Sequence, residues 1–326
     1  MINAFFIKQA TIAKYEIIKV CPKINTFTLI KTNKMIFPES ELILNTDGSI
    51  YHLNLQPHQI ASTIITVGDP ERVGEVSQHF DSIEHQVQHR EFVTHTGILR
   101  GKPLTVISTG IGTDNIDIVM TELDALVNID FETREPKVAL TVLDIIRVGT
   151  CGSLQPTSEV DSIVISTKAI GLDNLMHFYD AEQTGDELLL ADALADYLEK
   201  KSEDLMIMPY AFSADKKLLQ VFDNQGFTEG LTLTASGFYA PQGRILRGKQ
   251  AEPKLLKLLM GFQYKKQILT NFEMETSGIY GMARLLGHRA VSISAILANR
   301  ADNTFSKQAK KTVEMMIKKV LNSITS

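Results

Sequence analysis

Two carboxylates sit two residues apart in the stretch NFEMETSGIYG, Glu273 and Glu275, where an extended segment gives way to a helix. On an extended segment, side chains at i and i+2 share a face, and on a helix they diverge, so their use depends on where the helix begins. Acidic residues in a first helical turn also meet the positive end of the helix dipole, and for an isolated pair that reading suffices. Three arginines change the balance. Arg72 lies in VGDPERV, Arg90 in HREF and Arg147 in RVGTCGSLQP, where Thr150 reads as lying on the same side of an extended segment as Arg147. Guanidinium forks match phosphate oxygens bidentately, so Arg72, Arg90 and Arg147 are the residues with which this chain would grip a phosphate. Glycines frame the same places: Gly68 ahead of Arg72, and Gly110 and Gly112 in STGIGTDN, where backbone amides and a helix N-terminus can approach an anion. The GIGTDN spacing is neither a dinucleotide fingerprint nor a P-loop, which disfavours nicotinamide cofactors and nucleoside triphosphates.

Such groups need a scaffold that brings distant strand ends together. From Met35 onward, short β-branched runs alternate with amphipathic segments. The pattern predicts strands at Thr63–Gly68, Pro103–Thr109, Asp144–Thr150, Ser162–Thr167 and Ala290–Leu297. Helical spacing is clearest at Ile116, Val119, Met120, Leu123, Leu126 and Val127, and again in Glu187–Lys200, Ser277–Leu286 and Ser306–Ile324. This alternation implies an α/β sandwich with a central, mostly buried sheet, in a single domain over residues 35–326. In such folds ligands gather where strands end, which is where the glycines and arginines stand.

Composition narrows the function classes. A net charge of -5 gives no reason to expect a nucleic-acid or anionic membrane partner. No apolar run approaches the ~20 residues of a membrane span, so a soluble protein is expected. Cys21 and Cys151 are the two cysteines, far apart in sequence, which argues against a disulfide framework or a cysteine metal site and suits a reducing, cytoplasmic compartment. Residues 1–34 read differently: six lysines against the single acid Glu16, with no glycine. A targeting leader, a weakly ordered extension and upstream translation ahead of Met35 all fit lysine enrichment. Without arginine or an apolar h-region the leader reading weakens, and the segment is read as an upstream extension.

The ordered series GDPERV, REF, STGIG, RVGTCGSLQP, GFYAPQGR, NFEMET and ILANR resembles the nucleoside phosphorylase family, and within it the uridine-cleaving branch, from about Tyr51 to the C-terminus. The resemblance implies a three-layer α/β/α sandwich around a central mixed β-sheet. It also implies a reversible pentosyl transfer: uridine, with deoxyuridine left open, and inorganic phosphate give uracil and ribose 1-phosphate. No metal or organic cofactor takes part in that chemistry. Carried over by position, Gly68, Arg72, Arg147 and Thr150 hold phosphate, and Arg90 reaches across from a neighbouring subunit. His52 reaches the 5′-hydroxyl of the sugar in the adjacent subunit. Met274 packs against the ribose and Glu275 accepts its 2′- and 3′-hydroxyls, favouring an oxocarbenium-like transition state. Phe238 stacks on the base, and Gln242 and Arg244 read the uracil edge, Arg244 also receiving the negative charge of the leaving base. A site shared between protomers implies a homo-oligomer, with a dimer as the active unit and a hexamer as the family expectation.

Several positions depart from the pattern. The connection Asn128–Leu143 is longer than usual, Ala240-Pro241 inverts a proline-then-glycine order, and Asn115 replaces a serine that helps form an intersubunit potassium site in some relatives. Glu91 and Ile111 match that site, so bound potassium stays open and is not implied. Purine phosphorylases place an acid where this chain has Asn299 and Arg300, with Asp302 displaced nearby, so purine or broad-specificity phosphorolysis is the second reading. A nucleosidase would have no use for the arginine set, and a non-catalytic nucleoside-binding protein would be expected to lose Glu275 or one of those arginines.

Overall fold

A strand covered on both faces reads as an unbroken apolar run, and TIITV is one: Thr63–Val67 (β1) is buried at every residue. In the computed structural model, residues 35–202 and 205–326 are described. The basic segment 1–34, read as an upstream extension, lies outside the described residues, as does Cys21. After β1, helix α1 (Pro70–Ser77) starts with Pro70 in its first turn and Asp69 as N-cap, whose side chain accepts the Glu71 N–H. β2 (Ser82–His89) and β3 (Phe92–Leu99) form a hairpin, β4 (Lys102–Ser108) returns beside β1, and α2 (Thr113–Asn128) follows. The long connection after α2 folds into a small ribbon, β5 (Ile129–Asp130) and β6 (Glu135–Pro136). The Arg134 guanidinium ties it to the carbonyls of Phe37, Pro38 and Leu42.

The second half runs from β7 (Asp144–Ser153) and β8 (Ile163–Gly171) through α3 (Gly185–Lys201), β9 (Tyr210–Ser213) and α4 (Lys216–Val221) to β10 (Thr228–Thr234). Then come α5 (Leu255–Met260), the antiparallel pair β11 (Gln263–Tyr264) and β12 (Gln267–Glu273), α6 (Thr276–Leu286), β13 (Arg289–Asn299), β14 (Thr304–Phe305) and α7 (Ala309–Ile324). α6 is buried from Thr276 through Ala283 and is closed by Gly287 in the left-handed conformation.

The molecule is a mixed α/β fold around a central mixed sheet. Its strand order is β11-β12-β10-β8-β13-β7-β1-β4-β3-β2. β7 lies parallel to both β1 and β13, while β13 lies antiparallel to β8. The last residues of β7 also pair with β12, Gly152 with Phe272 and Ser153 with Asn271, so β7, β13, β8, β10 and β12 close on themselves. That closure brings the glutamate-bearing end of β12 to the arginine-bearing strand β7.

Candidate active site

The loops after β1, β4 and β12 open onto one cavity of about 730 Å³. Gly68 and Arg72 reach it from the β1–α1 turn, Arg147 and Thr150 from β7, and Met274 and Glu275 from the β12–α6 junction. An offset of three would set Arg147 and Thr150 on opposite faces of a regular pleat, so a shared strand face does not explain their meeting. Arg147 instead lies back over Gly149, where a Cβ would come within 2.1 Å of its Nη1. Only glycine permits that approach.

Arg147 is the centre of the buried charge. Its Nη2 contacts Glu275 Oε2 at 2.6 Å and Glu273 Oε2 at 3.0 Å, and its Nη1 donates to Ser294 Oγ at 3.0 Å. All three ionisable side chains are buried, which costs several kcal/mol per ion unless each is paired. Burial alone would lower the Arg147 pKa, but Glu273 and Glu275 hold it above its ordinary value. For Glu275 burial pushes upward, Arg147 pulls down and Glu273 pushes up again, and the net direction is upward.

The two glutamates have different work. Glu273, the last residue of β12, accepts the Thr234 hydroxyl and the N–H groups of Glu275 and Thr276. It therefore caps the first turn of α6 and has its oxygens spent on the fold. Glu275 faces the cavity, with one oxygen on Arg147 and the other accepting the Gly112 N–H at 2.8 Å. Gly112 precedes α2 with φ of 99°, a conformation that side chains resist.

Among the described residues Arg72 differs from Arg147 in having no carboxylate within ion-pair distance, and its Nε is buried with no hydrogen bond. Burial, with the Arg147 charge acting in the same direction, lowers its pKa, so a nearby anion would offset that effect on Arg72.

At the other end of the cavity, the turn Ala240–Gln242 followed by left-handed Gly243 brings Arg244 back onto Phe238. The guanidinium carbon stands 3.7 Å from the Phe238 ring centroid, and Nη1 donates to Gln242 Oε1 at 2.5 Å and to the Phe238 carbonyl at 2.6 Å. Burial, then the Arg300 charge, lower the Arg244 pKa to about 10. Arg300, which the sequence marks only as a position without an acid, reaches the Gln242 carbonyl with Nη1 at 3.4 Å. No acid is offered from this segment: Asn299 spends its Nδ2 on the carbonyls of Gln155 and Ser158, and the Asp302 carboxylate turns into its own loop toward Thr304. Cys151 also lines the cavity as a buried free thiol, its pKa pushed up to about 12 by burial. Its sequence neighbours Thr150 and Gly152 were the signal that could have marked it.

Arg90 and His52 do not line this cavity. Arg90 sits at the β2–β3 turn with φ of 54°, its guanidinium over the Tyr51 ring, and His52 is held by Glu122. Among the described residues no cluster of three His, Cys, Asp or Glu side chains is arranged to hold a metal ion, and no helix is long and apolar enough to cross a membrane.

Comparison with known proteins gives the family. The profile of the phosphorylase superfamily matches residues 62–325. A uridine phosphorylase of Thermococcus kodakarensis is 29% identical over 287 residues, covering 86% of this chain and 88% of the relative. A purine nucleoside phosphorylase of Vibrio cholerae is 25% identical over 83% of this chain and 97% of its own length. Among solved structures, a Trypanosoma brucei nucleoside phosphorylase described as showing uridine phosphorylase activity superposes with a TM-score of 0.78 at 29% identity, covering 88% of this chain and all, 100%, of that one. The chain belongs to the phosphorylase superfamily and is an enzyme of the nucleoside phosphorylase class, a pentosyltransferase.

Proposed function

We propose that this enzyme catalyses the reversible phosphorolysis of uridine to uracil and ribose 1-phosphate, with residues 35–326 as its catalytic domain. The observation that carries the reading is one cavity with an arginine pair, Arg72 and Arg147, at one end and the Phe238, Gln242 and Arg244 cluster at the other, with Glu275 between them. Phosphate on the arginines attacks C1′ as the bond to N1 of the base breaks. The bonding pair leaves with uracil, and Arg244 receives the charge at O4. Positive charge that builds on the ribose meets the Glu275 carboxylate, which also positions the 2′- and 3′-hydroxyls. The Gln242 amide donates and accepts at once, suiting O2 and N3–H of uracil, and cytosine, with its N3 and N4 reversed in sense, leaves buried groups unpaired.

Because Arg90 and His52 stay out of their own protomer's cavity, we assign both to a neighbour's site. The working unit is then a dimer, and a hexamer built from dimers is the expected assembly. Inorganic phosphate is the co-substrate, and the chemistry calls on no cofactor. A reducing, cytoplasmic compartment suits the free thiol of Cys151.

The match to a purine nucleoside phosphorylase keeps purine cleavage as the second reading. Against it, Asn299 is tied to two backbone carbonyls and offers no proton to a purine. Competition between uridine and inosine for the purified enzyme in phosphate buffer tests the choice. Preferential release of uracil supports it, and hypoxanthine as the sole product overturns it.

A further inference from the structure

We propose that Glu122 is a positioning residue that fixes the tautomer and direction of His52, and thereby the grip on the sugar 5′-hydroxyl. The inference rests on the shared-site reading of the preceding section. Glu122 lies in α2, is 9% exposed, and takes three donors of the His52 turn. Its Oε2 accepts the Leu53 N–H at 2.9 Å, both oxygens accept the His52 N–H at 3.1 Å, and Oε1 meets His52 Nδ1 at 2.6 Å. An ionised carboxylate can only accept, so the proton of that contact belongs to Nδ1. In the neutral ring Nε2 is left as an acceptor on a side chain 27% exposed, and a hydroxyl is the donor it suits.

The same contacts join the two residues that stay outside their own cavity into one patch. Tyr51 meets the His52 ring edge-on with centroids 4.7 Å apart, and the Arg90 guanidinium lies 5.4 Å from the Tyr51 centroid. His89, next to Arg90, shares a 2.9 Å hydrogen bond between its Nδ1 and the His52 carbonyl. The 5′-hydroxyl acceptor and the added phosphate cation are thus one surface, and Glu122 is the buried carboxylate beneath it. A plainer role would have Glu122 merely cap the backbone amides of residues 52 and 53. That role is blind to whether the nucleoside carries a 5′-hydroxyl.

The test compares kcat/KM for uridine with that for 5′-deoxyuridine, which lacks only that hydroxyl. Glu122→Gln keeps the shape but offers a single acceptor oxygen to three donors, and it should lower the uridine to 5′-deoxyuridine ratio about tenfold, the worth of one hydrogen bond. His52→Ala should lower the ratio at least as far, and the double variant no further than His52→Ala alone. An equal loss on both substrates in Glu122→Gln, or a further drop of the ratio in the double variant, overturns the proposal. If His52→Ala moves the ratio and Glu122→Gln does not, the proposal alone fails; if His52→Ala leaves it unmoved, the shared-site assignment of His52 fails with it. A readout that needs no variant is the ¹⁵N spectrum of the histidine-labelled enzyme. It should place a proton on Nδ1 of His52, and a ring protonated on Nε2 alone would contradict the proposal.

Discussion

At the scale of single residues the site is an argument about which charges are already satisfied. Arg147 is paired to both glutamates, whereas the Nε of Arg72 is buried without a hydrogen-bond partner among the described residues. Removing Arg147 therefore does two things at once: it strips the proposed phosphate site, and it leaves Glu273 and Glu275 as uncompensated buried charges. Arg147→Ala should cut phosphorolysis roughly a thousandfold and destabilise the fold by about 3–5 kcal/mol, measured by kinetics and by denaturant titration. Arg147→Lys should be far from silent, because an ammonium cannot face two carboxylates and two serine hydroxyls in one plane. At the base end, Gln242 holds Arg244 as well as offering its amide. Gln242→Ala should chiefly erode discrimination among nucleosides, by roughly tenfold, and unchanged selectivity between uridine and inosine would count against the base assignment. That these residues would gather in one cavity could be read from the sequence because such sites are spelled by residue type: arginines after glycine turns, a glutamate at a helix start. What could not be read was that one guanidinium, Arg147, pairs with both Glu273 and Glu275, since that depends on β12 closing onto the end of β7.

Elements place these residues, and their legibility varied with burial. β1, β4, β7 and β13 are buried on both faces for most of their length and read as continuous apolar runs, so they stood out in the sequence. β2 is mostly exposed and reads SIEHQVQH, and no apolar pattern marks it. Nor does a pattern within one segment disclose that β12 pairs with the end of β7, because that contact joins residues far apart in the chain. Helix ends carry chemistry of their own. α3 opens with a capping box of Thr184 and Glu187, and Glu187, fully buried, also meets Arg284 of α6 at 2.6 and 3.0 Å and the Ser213 N–H. Burial works to raise its pKa, but Arg284 and the backbone donors bring it down to about 2. A carboxyl depressed in the folded state adds stability above its unfolded pKa and loses it as the pH falls through the folded value. Stability measured by denaturant midpoint should thus decline between about pH 4.5 and pH 2. Glu187→Gln should lower stability by roughly 2–3 kcal/mol near neutral pH and flatten that decline.

For the whole molecule, the decisive feature is that a protomer's own cavity excludes Arg90 and His52. If both serve a neighbour, protomers defective in different halves should repair one another. Mixing unfolded Arg90→Ala and Glu275→Ala chains and refolding them together should restore about a quarter of wild-type activity, since half of random dimers are mixed and each mixed dimer holds one intact site. Activity no greater than the sum of the parents would show that each site belongs to one chain. The central claim is still the reaction itself, and the direct measurement is uracil release from uridine by purified enzyme with and without inorganic phosphate. Release that depends on phosphate, with ribose 1-phosphate as the second product, is the result predicted. Equal release without phosphate, with free ribose formed, would make the enzyme a hydrolase and contradict the account.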